Sequence, residues 1–224
     1  MKRGHLRLII LVGVFGDFDS LEYAQLMRRN LNRLESSGLK ILIIGLGDEN
    51  SRKKFSNYTE LPITIVHYEK NSELHHHLGC AKGLEYKIPP LANLLLMCAG
   101  VQSPGTLKEV LRGYTGDKKS EQIYNSSDLI KISPFSMFKG SLFENAGGTG
   151  FLRPFEMATI RLENMQEVLK NWNIYMKGQD SLTQRGGTFL LDKDDKLLYK
   201  YLPSSLLGYS QYRSNPFRFL DQYL

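Results

Sequence analysis

The sequence predicts an α/β protein: a mixed sheet flanked by helices, with a long helical insertion before a final β-hairpin. Three observations carry that prediction. Strand and helix signals alternate through the first third of the chain. The last third changes to an antiparallel hairpin. Between them, about residues 85–180, the apolar residues recur at helical spacing. A chain of 224 residues can bury a core as one domain, 1–224, that includes such an insertion.

Each element has a local reason. Leu6–Val14 reads as a buried first strand. Lys2, Arg3 and Arg7 ahead of it imitate a signal peptide, but no small-x-small cleavage site follows, so the strand reading stands. Asp19 with Glu22 forms a capping-box pattern, and Leu21, Ala24, Met27, Leu31 and Leu34 recur on one helical face. Gly38 sits where the helix should stop. The second strand is Leu39–Ile44, closed by Gly45-Leu46-Gly47, and a polar helix follows over Glu49–Tyr58. Leu61-Pro62 then introduces a third apolar stretch, Ile63–His67. This βαβαβ opening calls for parallel strands covered by helices.

In the insertion, Pro89-Pro90 opens an apolar helix through Ala99, and a second helix spans Thr106–Tyr114. A third follows the Gly-rich loop Ala146–Gly150. Its stripe of Phe155, Ala158, Leu162, Met165, Leu169 and Trp172 is expected to pack in the core. Gly187–Asp192 and Leu197–Tyr201, around the polar turn Lys193–Lys196, form the closing hairpin. Parallel units first and an antiparallel hairpin last is a thioredoxin-like layout.

Composition narrows the function. Hydrophobic residues make up 42% of the chain and charged ones 23%, as in ordinary globular domains. The net charge of +6 is dispersed, and its densest clusters, Arg28-Arg29 and Lys118-Lys119, are short. A solvated basic surface is expected, not a nucleic-acid partner. No apolar run approaches the roughly 20 residues needed to span a bilayer, so no transmembrane segment is expected. Two cysteines, Cys80 and Cys98, make neither a disulfide framework nor a CxxC, which points to a reducing, cytoplasmic compartment.

The candidate site is the corner where the first strand meets its helix, Phe15-Gly16-Asp17-Phe18-Asp19-Ser20-Leu21-Glu22. In thiol-dependent redox folds this corner carries the reactive sulfur, because helix N-terminal N–H groups stabilise a thiolate. Here Asp17 and Ser20 stand there instead. A serine hydroxyl stays protonated near neutral pH and has no sulfenic chemistry. Ser20 is expected to cap the helix beside Asp19. Cys80 follows His75-His76-His77, which places a histidine within possible reach of its sulfur. Cys98 lies in an apolar segment, which raises a thiol pKa and suggests packing. Three adjacent histidines on a helix cannot ligate one ion, and His67 has no spaced partner, so no metal is expected. Gly45-Leu46-Gly47-Asp48-Glu49-Asn50 lacks a third glycine, and Ala146–Gly150 lacks a phosphate-binding lysine. No cofactor is expected.

Phe15-Gly16-x-x-x-Ser20-x-Glu22-x-Ala24 resembles the corner of the peroxiredoxin-like branch of the alkyl hydroperoxide reductase/thiol-specific antioxidant superfamily. Relatives with the dithiol read F-G-C-x-x-C-R-E-x-A there, which puts Asp17 and Ser20 at the two cysteine positions. Leu61-Pro62-Ile63-Thr64, Ser72-Glu73-Leu74-His75 and Gln184-Arg185-Gly186-Gly187-Thr188-Phe189-Leu190-Leu191-Asp192 are similar to later family segments. The Gly16–Tyr23 phrase, Met97-Cys98-Ala99-Gly100 and Arg112-Gly113-Tyr114-x-Gly116-Asp117 resemble a subgroup of photosynthetic bacteria and plastids, which would imply the plastid stroma in a photosynthetic eukaryote.

The resemblance implies a thioredoxin fold, antioxidant chemistry and Arg185 as the site arginine. Its structural alternative is a salt bridge from Arg185 to Asp17, Asp19 or Glu22. Two classes of function follow. One is an oxidoreductase acting on peroxide or a thiol/disulfide through Cys80 or Cys98 with Arg185. The other is a non-catalytic binding or assembly module, with the insertion as a protein-partner surface and the old pocket holding a small anion on Arg185.

Overall fold

The computed structural model describes residues 6–133, 136–176 and 182–224, without the side chains of residues 132, 133 and 136. Lys2, Arg3 and the end of the insertion near residue 180 lie outside the described residues. The first strand, β1 (Arg7–Val14), is central to a five-stranded sheet. Helix α1 (Phe18–Ser36) buries Leu21, Ala24, Met27, Leu31 and Leu34 against it, on the face the spacing predicted. Gly38 closes the helix with φ +81°, a conformation that costs a glycine little. Strand β2 (Lys40–Leu46) pairs parallel with β1, Leu8 opposite Ile41.

Helix α2 (Glu49–Thr59) begins with a reciprocal cap between Asp48 and Ser51, which makes the Gly45–Asn50 segment an ordinary strand-to-helix turn. Strand β3 (Val66–Glu69) starts later than expected, because residues 63–65 are turned, with Ile65 N–H bonded to the Pro62 carbonyl. Helix α3 (Glu73–His77) holds the three histidines. His75 is fully buried with Nε2 2.8 Å from the Val12 carbonyl, and His76 Nε2 lies 3.0 Å from Gln184 Oε1. Strand β6 (Gly187–Leu191) runs antiparallel to β1 and to β7 (Leu197–Tyr201), giving the order β3-β2-β1-β6-β7. This is the mixed thioredoxin-like sheet. Among the described residues no helix is long and apolar enough to cross a membrane.

Two expectations for the insertion are corrected. It is not wholly helical. Helices α4 (Pro90–Cys98) and α5 (Thr106–Thr115) are followed by a hairpin of β4 (Leu129–Ser133) and β5 (Ser136–Lys139). Helices α6 (Ser141–Gly147), α7 (Glu156–Lys170) and α8 (Trp172–Tyr175) complete it. Nor does the whole Phe155–Trp172 stripe pack in the core: Trp172 packs against it, but Phe155 is 58% and Leu169 59% exposed. The buried face is Met157, Ile160, Asn164 and Val168.

The reason is an anchor at the start of α7. Glu156 and Arg153 are both fully buried, with Arg153 Nη2 2.7 Å from Glu156 Oε1. Glu156 also accepts the backbone N–H groups of Ile123 and Tyr124, each at 2.7 Å. A carboxylate held by that many donors fixes the rotation of its helix. Removing it leaves Arg153 charged and unpaired, which typically costs about 3–5 kcal/mol. Glu156→Ala should therefore lower the urea midpoint strongly at an unchanged m-value. A loss within experimental error would show that the pair does not anchor the insertion.

Candidate functional site

The corner forms where β1 ends. Asp17 N–H bonds the Val14 carbonyl at 2.9 Å, and Phe15 is buried beneath the turn. Asp17 is the N-terminal residue flanking α1, but its side chain makes no capping bond. Arg185 enters from the segment before β6. Its N–H is held by the Ala81 carbonyl and its Nε by the Thr183 carbonyl, both at 2.8 Å. Its two remaining nitrogens meet the corner: Nη2 lies 3.1 Å from Asp17 Oδ2, and Nη1 3.0 Å from Asp19 Oδ2. The Leu207 N–H donates to the other oxygen of Asp19.

The salt-bridge role for Arg185 is thus realised with Asp17 and Asp19. Glu22 goes elsewhere: Arg161 from α7 grips it with bonds of 2.6 and 3.1 Å, and the Tyr209 hydroxyl donates at 2.9 Å. The Asp19/Glu22 capping box is therefore absent, because both carboxylates are committed to arginines. Ser20 is not a cap either. It lies inside the first turn, and its buried hydroxyl has no hydrogen-bond partner. Asp17, Ser20, Tyr23, Arg185 and Thr188 line a cavity of about 20 Å³, room for a water-sized molecule.

Electrostatics follow from burial. Asp19 is pushed up to about 7 by burial and by the adjacent Asp17, against the pull of Arg185. Asp17 is raised as well, by burial, with Arg185 opposing. Burial works against ionised Glu22, but Arg161 and Tyr209 outweigh it and hold its carboxyl below the usual range. An anion on Arg185 would also meet two carboxylates. The guanidinium is already flanked by two carboxylates, so the pocket carries surplus negative charge when both ionise.

The two cysteines are free and far apart in role. Cys80 is buried with Leu11 and Phe189. Burial pushes its thiol up to about 11, and the opposing cation is Lys200, not a histidine. Cys98 is half-buried and closer to the corner than its apolar segment suggested. It lines a groove together with Asp17 and Asp19. Burial, then Asp17 and Asp19, push its thiol up to about 11 against Arg185. Burial first, and the two carboxylates after it, thus disfavour the Cys98 thiolate.

Sequence reasoning missed Arg161, Tyr209 and Leu207. No local pattern marks them, since each reaches the corner from a distant segment. Among the described residues, no group of three or more His, Cys, Asp or Glu could hold a metal ion.

A family model described as AhpC/TSA antioxidant enzyme matches residues 25–204. The match begins just past the corner, at Gln25. No curated protein and no solved structure matches the chain.

The raised carboxyl has a consequence for stability. Folded Asp19 keeps its proton up to about pH 7, whereas an unfolded aspartate loses it near 3.8. Between those values the folded state holds the extra proton, so stability from this group falls as pH rises and levels off above 7. Asp19→Asn should gain most over the parent near pH 8 and least near pH 5, read as urea midpoints. An unchanged difference across that interval would contradict the raised carboxyl.

Proposed function

The chain belongs to the AhpC/TSA antioxidant enzyme family, and within it we propose a member whose corner binds a ligand instead of running thiol peroxidase chemistry. One observation carries this reading. Arg185, which the resemblance aligns with the family's site arginine, is ion-paired with Asp17 and Asp19 and donates to the Thr183 carbonyl. A peroxidatic centre needs that cation to lower a thiol pKa and orient peroxide oxygens. Here it stabilises two carboxylates, and both thiols are raised instead.

What remains is a binding scaffold: a buried charged cluster at one end of an apolar groove, walled by the insertion. The exposed apolar side chains Leu95, Leu107, Leu111 and Phe155 also leave the insertion able to meet a protein partner. A second reading has one observation in its favour. Cys98 shares the groove with the corner, so a relocated peroxidase would use this sulfur with peroxide or a thiol/disulfide as substrate.

Titration of the reduced protein with hydrogen peroxide and a dimedone trap separates the two. Mass spectrometry of the Cys80 and Cys98 peptides is expected to show trapping no faster than a free thiol. Fast, saturable trapping at Cys98 would overturn the binding reading and locate the nucleophile.

A further inference from the structure

We infer that the apolar groove beside the corner binds a small hydrophobic amine, with its ring or chain between α5 and α7 and its ammonium against the Asp17–Asp19–Arg185 cluster. This rests on the reading of the corner as a binding site and names its ligand class. The groove encloses about 250 Å³, between Phe18, Val110, Ala158, Leu162, Met165 and Leu207. A dry cavity of roughly 150 Å³ already accepts a benzene ring, so an aryl group with a short tail fits.

The polar end selects the charge of the ligand. Asp17 and Asp19 line it, and the single guanidinium of Arg185 serves both. The other cation lining the groove, Arg161, is spent on Glu22 and the Glu109 carbonyl. Glu109 is itself shared by Arg112 and Arg213, and Arg112 also meets Asp117. Cys98, Tyr114 and Tyr209 carry no positive charge in either protonation state. Within the Asp17–Asp19–Arg185 cluster itself, one carboxylate charge is therefore left over when both aspartates ionise.

A second observation points the same way. Asp17 is 5% exposed, yet its Oδ1 has no hydrogen-bond partner; Ser20 Oγ and Arg185 Nη2 also lack one, though Nη2 lies 3.1 Å from Asp17 Oδ2 in an ion pair. A buried carboxylate oxygen without a donor is costly, and an ammonium brings three donors and the missing charge. An anionic ligand would add to the surplus, and a neutral one would leave it. The groove also couples to pH. Asp19 holds a proton below about 7, which cancels the surplus. Alkylammonium groups keep their charge to about pH 10, so amine affinity should rise between pH 6 and 8.

The test compares 2-phenylethylamine, 2-phenylethanol and 3-phenylpropionate, which share a ring and differ in charge. Calorimetry on the whole chain gives affinity, and slowed N-ethylmaleimide alkylation of Cys98 places the ligand in the groove. At pH 8 the amine should bind about tenfold tighter than the alcohol, as for one charge-assisted contact. That preference should vanish at pH 5.5 and in Asp17→Asn. Ala158→Phe, which fills the groove from α7, should lose amine and alcohol alike. Equal binding of amine and alcohol, tighter binding of the carboxylate, or no protection of Cys98 by any of the three would overturn the inference. Peroxide trapping is read on the same Cys98 peptide without amine. The loss of this site and the failure of the binding reading are therefore separate results.

Discussion

A guanidinium buried between two carboxylates joins the parts of this fold that meet at the corner. Asp17 closes the turn after β1, and Asp19 belongs to the first turn of α1 and also receives the Leu207 N–H. Arg185 arrives from the far side, its backbone tied to Ala81 and its Nε to Thr183. The strand end, the helix start, the entry to β6 and the C-terminal segment all converge on one charge cluster. In a buried setting the guanidinium is the partner that matters most, because removing it strands two carboxylates away from water. Within the cluster, one guanidinium faces two carboxylates.

Two further arginines place the insertion around that cluster. Arg153 with Glu156 sets the rotation of α7, and Arg161 carries the helix to Glu22 on α1. With α7 pinned at both contacts, Met157, Ile160 and Val168 turn inward. Ala158, Leu162 and Met165 are left facing α5 across an unfilled groove. Ridges of side chains normally interlock where helices pack closely. Here the ion pairs set the helix position, and the apolar gap follows from it.

The C-terminal segment closes the assembly from outside the predicted elements. Tyr209 stacks on Tyr23 with ring centroids 4.7 Å apart and donates to Glu22, while Phe217, Phe219 and Leu220 enter the core. Leu207, in a left-handed backbone conformation with φ +56°, is turned so that its N–H reaches Asp19. A non-glycine residue in that conformation is sustained by surrounding contacts, here the hydrogen bond to a buried carboxylate.

The sequence alone determined what depends on near neighbours. Alternation and helical spacing placed β1, α1, β2, α2 and the final hairpin, because side-chain direction repeats with a local period. It also placed Asp17 and Ser20 at the corner and singled out Arg185. It missed the hairpin of β4 and β5, a short element inside a region read as helical, and it turned the stripe of α7 the wrong way. The seat of α7 and the corner also rest on contacts between distant residues: Arg161 meets Glu22 across 139 positions, and Arg185 meets Asp19 across 166. Which cation meets which carboxylate is settled by desolvation and distance once the chain has folded, and the approach of Cys98 to the corner is settled with it.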